Sequence, residues 1–361
     1  MAIGPQGVAH AVRHAQVVAR LRPALTVPVS GPATAPAALA DATAPPCLIV
    51  NPLSFRASRG LAGRASAIAA AHCAEVIRVD APASVAAAVE SILIRRQSRV
   101  AVLAGDGTVR EIVDRLARLP PGRWLPDLLI LPGGRSNLTA ADLVPRGKPL
   151  ATLEQALAAA REGRWDSGVV ERVPLCIAQD PAPPRFGFFV GAAAVDSVVR
   201  RAQDYRYGGS GRLRTGHLST PWLLLKLAAL GLVGRSGLES PFLQVDAGAC
   251  GSVRGPVRLL LATTLLHRTG LFDPYAARGA GELRLTVVAR RAPRFWRALP
   301  RLLTGRYSKA MNVDSGYLSG RCERVQITGL AGYVLDGERF DTDPTRPVVI
   351  TPGPRLRFFS P

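Results

Sequence analysis

An aspartate held between two glycines is the strongest chemical signal in the sequence. The segment AGDGTVRE follows a wholly apolar run, and Gly105 and Gly107 would let backbone N–H groups approach an anion closely. Between them, Asp106 could hold Mg²⁺ or orient a phosphate, and Thr108 offers a hydroxyl at the start of the next helix. Asp-Gly is also a frequent hairpin turn, but the helical spacing that follows favours phosphate binding.

Two further turns end predicted strands in the same way. LPGGRSNLTAADL, residues 131–143, has a glycine pair followed by Ser136 and Asn137, and NPLSFR, residues 51–56, follows the first strand. Each turn alone would be an ordinary connection between a strand and a helix. Because open α/β sheets bind ligands at the carboxyl ends of their parallel strands, the turns together predict one site.

The elements that must position these turns alternate along the first half of the chain. Apolar runs that begin at Cys47, Arg99 and Leu125 are typical of buried strands, and a segment with helical spacing follows each of them. This alternation predicts a parallel sheet with crossover helices on its faces. After Asp166, short β-like runs separated by Gly and Pro predict a mainly antiparallel second domain.

The predicted architecture is therefore α/β followed by β. We expect residues 1–45, with their Pro and Ala clusters, to be a poorly ordered extension. Residues 46–166 should form the parallel α/β domain, and residues 167–345 a mainly antiparallel β domain.

Composition limits the classes of function without choosing among them. The formal net charge is +20, which attracts phosphate-bearing partners, although biased composition explains it as easily. Five dispersed cysteines argue against a disulfide framework and a zinc site. The sequence has no apolar stretch of bilayer length, no secretory leader pattern and no recognised nucleic-acid module. We expect a cytoplasmic protein, with peripheral contact at the inner face of the membrane as an option.

The order of the turns resembles a known family. NPxS, then GDGT, then PxGxxN follow the pattern of the diacylglycerol kinase catalytic domain, a group that includes sphingosine and ceramide kinases. VLDGERF, residues 334–340, is similar to the DGE motif of that family, and the likeness extends over about residues 47–361. The resemblance implies a first domain, residues 46–166, that binds a nucleotide and is like that of NAD kinases and phosphofructokinases. It also implies an antiparallel β-sandwich, residues 167–345, that takes the acceptor, and a closing segment, about 346–361, that joins the first domain.

The resemblance also implies a reaction and its residues. ATP would bind in the cleft between the domains with Mg²⁺, and the acceptor would be a lipid alcohol such as diacylglycerol or a sphingoid base, which implies a role in lipid metabolism. Glu338 is the predicted general base, with Asp106 as the alternative, and Asp106 and Asp336 are the predicted metal ligands. The predicted nucleotide contacts are Asn51, Ser54, Arg56, Gly105, Gly107, Thr108, Gly134, Ser136 and Asn137.

Several positions depart from the pattern of the family. Phe55 replaces a glycine, and its bulk could narrow the approach of a phosphate, while Arg135 stands where serine or threonine is common. Ala280 and Arg284 stand where some bacterial relatives have aspartates that hold a structural metal. We expect that metal site to be absent and the specificity for the acceptor to differ.

Two apolar segments favour a lipid acceptor and leave alternatives open. Residues 220–234 form an apolar run of helical length, and residues 290–306 interleave arginines with Phe295 and Trp296, as a segment on an anionic membrane would. Packing of either segment against the protein core explains them about as well. The alternatives are a soluble kinase for a small polar acceptor such as NAD, and a catalytically decayed regulatory protein that binds a nucleotide or lipid. The oligomeric state is left open.

Overall fold

The computed structural model describes residues 46–135, 137–143, 148–197, 240–266 and 273–360. The predicted extension at 1–45, the apolar run at 220–234 and Ser136 lie outside these ranges. Within them, no helix combines the length and the apolar character needed to cross a bilayer.

The first sheet is parallel where the sequence predicts it to be. Its strand order is β2-β1-β3-β4-β17-β5, with parallel pairing from β2 to β17 and an antiparallel pair at the β17–β5 edge. Its strands are β1 (Cys47–Val50), β2 (Glu75–Arg78), β3 (Arg99–Ala104), β4 (Asp127–Pro132), β5 (Val169–Arg172) and β17 (Leu356–Phe359). Its helices are α1 (Leu61–Ala71), α2 (Pro82–Ile94), α3 (Asp106–Ala117), α4 (Leu138–Leu143) and α5 (Pro149–Arg161).

Apolar residues cover both faces of this sheet, because alternate side chains of a strand point to opposite sides. Val100 and Val102 of β3 pack with Ile112 of α3 on one face. Ala101 and Leu103 pack on the other face, in a cluster that includes residues of α1 and α5. With both faces buried, the strands read as continuous apolar runs, and the sheet holds the turns at its carboxyl edge in fixed positions.

The second sheet is antiparallel and, over the residues that the structure describes, contains eleven strands. The main order is β15-β14-β8-β10-β9-β13-β16-β6-β7, with β11 paired to β10 and β12 paired to β11. Its strands are β6 (Leu175–Gln179), β7 (Ala182–Gly187), β8 (Phe189–Ala193), β9 (Phe242–Asp246), β10 (Ser252–Thr263), β11 (Leu283–Ala289), β12 (Tyr317–Cys322), β13 (Val325–Thr328), β14 (Gly332–Leu335), β15 (Glu338–Asp341) and β16 (Val348–Pro352). A sixth helix, α6 (Phe295–Leu303), lies between β11 and β12 in the chain.

The long strand β10 belongs to both halves of this sheet. Its first part pairs with β9, and its second part pairs with β8 and β11. One buried cluster joins Leu175 and Val245 from one half with Leu285 and Leu335 from the other, so the two halves enclose a common core. The expected β-sandwich architecture is therefore confirmed.

The end of the chain contributes to both sheets. β16 lies in the second sheet, and after a short connection β17 pairs with β4 and β5 in the first sheet. Phe358 of β17 is fully buried there. The predicted boundary at residues 166/167 falls in a short 3-10 turn, Trp165–Gly168, directly before β5. The division into domains stays a prediction.

Candidate functional site

The three turns predicted from the sequence lie side by side at the carboxyl edge of the first sheet. The amide of Asn51, after β1, donates to the hydroxyl of Thr108 at 2.9 Å, and the N–H of Gly105 donates to the hydroxyl of Ser54 at 3.0 Å. These bonds join the turn after β1 to the turn after β3. The strand after β1 lies on one side of the β1–β3 pair and the strand after β3 lies on the other, so the turns after β1 and β3 border a crevice. A doubly wound sheet binds its ligand in a crevice of this kind.

Glycines allow the turn after β4 to touch the turn after β3. A Cβ atom added to Gly134 would stand 2.6 Å from the Cα atom of Gly105, and one added to Gly133 would stand 2.8 Å from the N atom of Ala104. Gly107 differs, because a Cβ added there would meet nothing within 4 Å. Gly134 is therefore needed for packing, whereas Gly107 faces open space at the start of α3.

Asn137 and Asp106 lock the third turn. Asn137 adopts a positive φ of 52°, its amide oxygen accepts from the N–H of Gly134 at 2.8 Å, and its amide nitrogen donates to the Gly134 carbonyl at 3.0 Å. The N–H of Asn137 donates to the Asp106 carboxylate at 2.8 Å. These bonds use the side chain of Asn137 within the protein, so any contact it makes with a nucleotide stays a prediction.

The Asp106 carboxylate is positioned to titrate near neutral pH. Burial raises its pKa to about 6, although hydrogen bonds from the backbone N–H groups of Asn137, Leu138 and Thr139 act in the opposite direction. A carboxyl group with such a pKa is mostly ionised at pH 7.5 and can still accept a proton, which suits a general base or a ligand to a metal ion that is bound to phosphate.

The DGE turn between β14 and β15 brings two more acids to this crevice, in different environments. Asp336 is buried with a positive φ of 48°, and its two carboxylate oxygens accept from the N–H groups of Phe188 and Phe189, each at 2.9 Å. Burial, and to a lesser degree the charge of Asp106, raise the pKa of Asp336 to about 7. The charge of Asp106 thus acts on Asp336 across the site. Because both oxygens of Asp336 already accept backbone bonds, its predicted role as a metal ligand stays a prediction.

Glu338 reaches an arginine that the sequence analysis did not single out. Its side chain is half exposed, and its carboxylate accepts from Nη2 of Arg110 at 2.7 Å. Arg110 lies one helical turn after Asp106 in α3, and its side chain is only 9% exposed. The spacing of four residues from Asp106 on a predicted helix was the available signal, because residues i and i+4 share a helix face.

Phe55 supports the rim of the site. Its ring lies between two guanidinium groups, with Arg59 at 4.0 Å and Arg135 at 3.9 Å from the ring centroid. Arg56 is exposed, and its backbone N–H donates to the carbonyl of Gly133 at 2.8 Å. The ring of Phe55 therefore holds two positive charges beside the three turns.

Metal binding at this site would depend on an incoming ligand. Among the residues that the structure describes, no group of three or more acidic, histidine or cysteine side chains is arranged to hold a metal. Mg²⁺ that arrives with a triphosphate needs one or two carboxylates, because phosphate oxygens and water complete its coordination. Asp106, a half-buried residue beside the open start of α3, fits that requirement.

Arg284 occupies a separate polar position in the second sheet. Its guanidinium forms an ion pair with Asp273, donates to the Leu265 carbonyl at 3.2 Å, and lies 4.7 Å from the centroid of the Tyr275 ring. A fixed cation thus stands at one of the positions where the resemblance would place a metal-binding aspartate.

Comparisons with known proteins agree with this geometry. Residues 45–169 match the family model described as the diacylglycerol kinase catalytic domain, which confirms the predicted resemblance. A Bacillus anthracis str. Sterne protein provisionally described as a diacylglycerol kinase superposes with a TM-score of 0.59 at 15% identity, covering 88% of this chain and 97% of that one. A diacylglycerol kinase from the same organism gives a TM-score of 0.55 at 14% identity, covering 87% and 96%. At these identities the likeness shows the fold. The curated proteins include no significant match.

Replacing Gly134 by alanine should destabilise the protein, because the new methyl group meets the backbone of Gly105. We expect a loss of roughly 1–3 kcal/mol in the free energy of unfolding, typical of overpacking. Gly107→Ala is the matched control, since its methyl group meets open space and alanine favours a helix by about 0.5–1 kcal/mol. Urea unfolding of the two variants checks this, and equal effects would contradict the packing role of Gly134.

Asp336→Asn should destabilise the protein more at pH 5 than at pH 8.5. Asparagine offers one oxygen to two N–H donors, which leaves a buried donor unpaired at a cost of about 1–3 kcal/mol. The pKa of Asp336 is raised in the folded state, so its contribution to stability is complete below pH 4 and is lost as the pH rises through about 7. Melting temperatures of both proteins across this range test the prediction; a constant difference would refute it.

Proposed function

We propose that this chain, whose residues 45–169 match the diacylglycerol kinase catalytic domain model, is a kinase that transfers the terminal phosphate of ATP to the hydroxyl of a lipid alcohol. The observation that supports the proposal is the match of residues 45–169 to this family model. The matched residues include the glycine turns of the first sheet, and Asp106, Asp336 and Glu338 lie near those turns. Diacylglycerol and sphingoid bases are the acceptors that the resemblance favours.

The phosphates would bind at the open start of α3. The first N–H groups of a helix have no partners within the helix and carry partial positive charge, which suits an anion. Gly107 leaves room there, while Arg56, Arg59 and Arg135 stand at the rim around Phe55. Mg²⁺, when bound with the triphosphate, would neutralise charge on its oxygens, with Asp106 as the carboxylate that holds it.

A carboxylate would then take the proton of the acceptor hydroxyl. Glu338 has a side chain that is 53% exposed and can meet an acceptor from outside, whereas burial raises the pKa of Asp106 to about 6. We favour Glu338 as the base and Asp106 as the group that holds the metal and the phosphate. Phosphoryl transfer depends mainly on position and charge, so no covalent nucleophile is needed.

The basic surface around α6 is the proposed contact with an anionic membrane. Residues 290–313 contain no aspartate or glutamate, and the arginines of this stretch are exposed. Phe295 and Leu302 anchor α6 in the core, while the Trp296 side chain faces outward and is 38% exposed. An outward tryptophan among arginines suits the headgroup region of a lipid surface.

Transfer of labelled γ-phosphate from ATP to lipid alcohols in mixed micelles tests the reaction. We expect a labelled lipid with the wild-type protein and a loss of about 100-fold or more for Glu338→Gln, the range of general base catalysis. Asp106→Asn should also lose the activity. Glu154→Gln, an exposed carboxylate on α5, is the matched control and should retain it. ATP binding without any labelled lipid would favour a small polar acceptor or a regulatory protein.

Sedimentation with lipid vesicles tests the membrane surface. Changing Arg291, Arg297 and Arg301 together to glutamine should weaken binding to vesicles that contain phosphatidylserine by up to roughly 100-fold, at about 1 kcal/mol for each cation. The same change at Arg64, Arg123 and Arg161, exposed arginines of the first domain, is the control with equal net charge. Equal weakening by both triple variants would mean that net charge, and not this surface, drives the attraction.

A further inference from the structure

Arg110 has more donors than the protein uses. Its Nη2 atom lies 2.7 Å from the Glu338 carboxylate and 3.3 Å from that of Glu111, whereas its Nε atom is buried and has no hydrogen-bond partner among the described residues. A buried N–H group without an acceptor is unfavourable. In the free protein the Nε–H group of Arg110 therefore lacks an acceptor, and a ligand could supply one.

The place of Arg110 points to the chemistry of that ligand. It follows Asp106 by one turn of α3, and its charge lowers the pKa of Asp336, so the guanidinium lies among the acids of the crevice. The ring of Phe340 lies beneath it at 5.4 Å from the centroid. A triphosphate that enters this acidic crevice needs a cation, and the planar fork of arginine matches two phosphate oxygens.

The partner that Arg110 has in the free protein can be displaced. The Glu338 side chain is 53% exposed, and ion pairs with so exposed a member contribute little because water competes for the charges. A phosphoryl group carries more charge than a carboxylate and accepts from both edges of the fork. Competition between the two acceptors for one guanidinium therefore favours the phosphoryl group.

We propose that Arg110 binds the terminal phosphate of the nucleotide and, in doing so, releases the Glu338 carboxylate to the acceptor hydroxyl. This inference rests on the proposed kinase function and deepens it. Glu338 is held by Arg110 while the site lacks a nucleotide and becomes free when the triphosphate takes the guanidinium. The carboxylate is thus available to the acceptor once the phosphate donor is in place.

Calorimetric titration with Mg-ATP and with Mg-ADP tests the proposal without measuring turnover. Arg110→Gln should weaken ATP binding by about 10- to 100-fold, the range for a hydrogen bond between charged groups, and should change ADP binding less than threefold. Arg110→Lys keeps the charge and loses the planar fork, so its ATP affinity should lie between those of wild type and Arg110→Gln. It replaces the glutamine variant in this test if that variant does not fold. Glu338→Gln should bind ATP more tightly than wild type, because it removes the competing carboxylate.

Arg115→Gln is the matched control. Arg115 lies on the same helix, pairs with Glu111 at 2.8 Å, and is more exposed, so its loss should leave both affinities unchanged. Equal weakening of ATP and ADP by Arg110→Gln, or weaker ATP binding by Glu338→Gln, would overturn the role of Arg110. If the wild-type protein binds neither nucleotide, the proposed function fails and this inference fails with it.

Discussion

The close contact between the turns after β3 and β4 is the constraint on which the rest of the site depends. Gly134 touches Gly105 without room for a side chain between them, and the side chains of Ser54 and Asn137 tie the adjoining backbone in place. Asp106 closes the arrangement by accepting the N–H of Asn137. These polar groups are satisfied inside the protein, and Gly107 leaves the start of α3 open.

The second sheet completes the site by supplying charge from the opposite side. Asp336 is fixed by the N–H groups of Phe188 and Phe189, so the β14–β15 turn is held against the strand that begins at Phe189. From that turn Glu338 reaches Arg110 on α3, an ion pair that links the two sheets. The acids come from both sheets, and burial, with a smaller contribution from the charge of Asp106, raises the pKa of Asp336. Such a crevice favours a ligand that arrives with its own cations.

The departures from the family pattern have physical consequences that differ from one position to another. Phe55, whose bulk suggested an obstruction, binds Arg59 and Arg135 on its two faces and so adds positive charge to the rim. Arg284 forms an ion pair with Asp273 in the second sheet, so a fixed cation stands at one of the positions where the resemblance would place a metal-binding aspartate.

The amino-acid sequence by itself determined the alternation of strands and helices, the three glycine turns and their order, because apolar periodicity and turn chemistry are local properties. The helix predicted after the GDGT turn is present as α3. The closing segment supplies two strands, β16 and β17, which pair in different sheets. The tertiary structure alone decided that the Asp336 carboxylate accepts hydrogen bonds from backbone N–H groups and that the Glu338 carboxylate forms an ion pair with Arg110. Those partners are separated by 148 and 228 residues in the chain, and only the packing of two complete sheets brings such distant groups into contact.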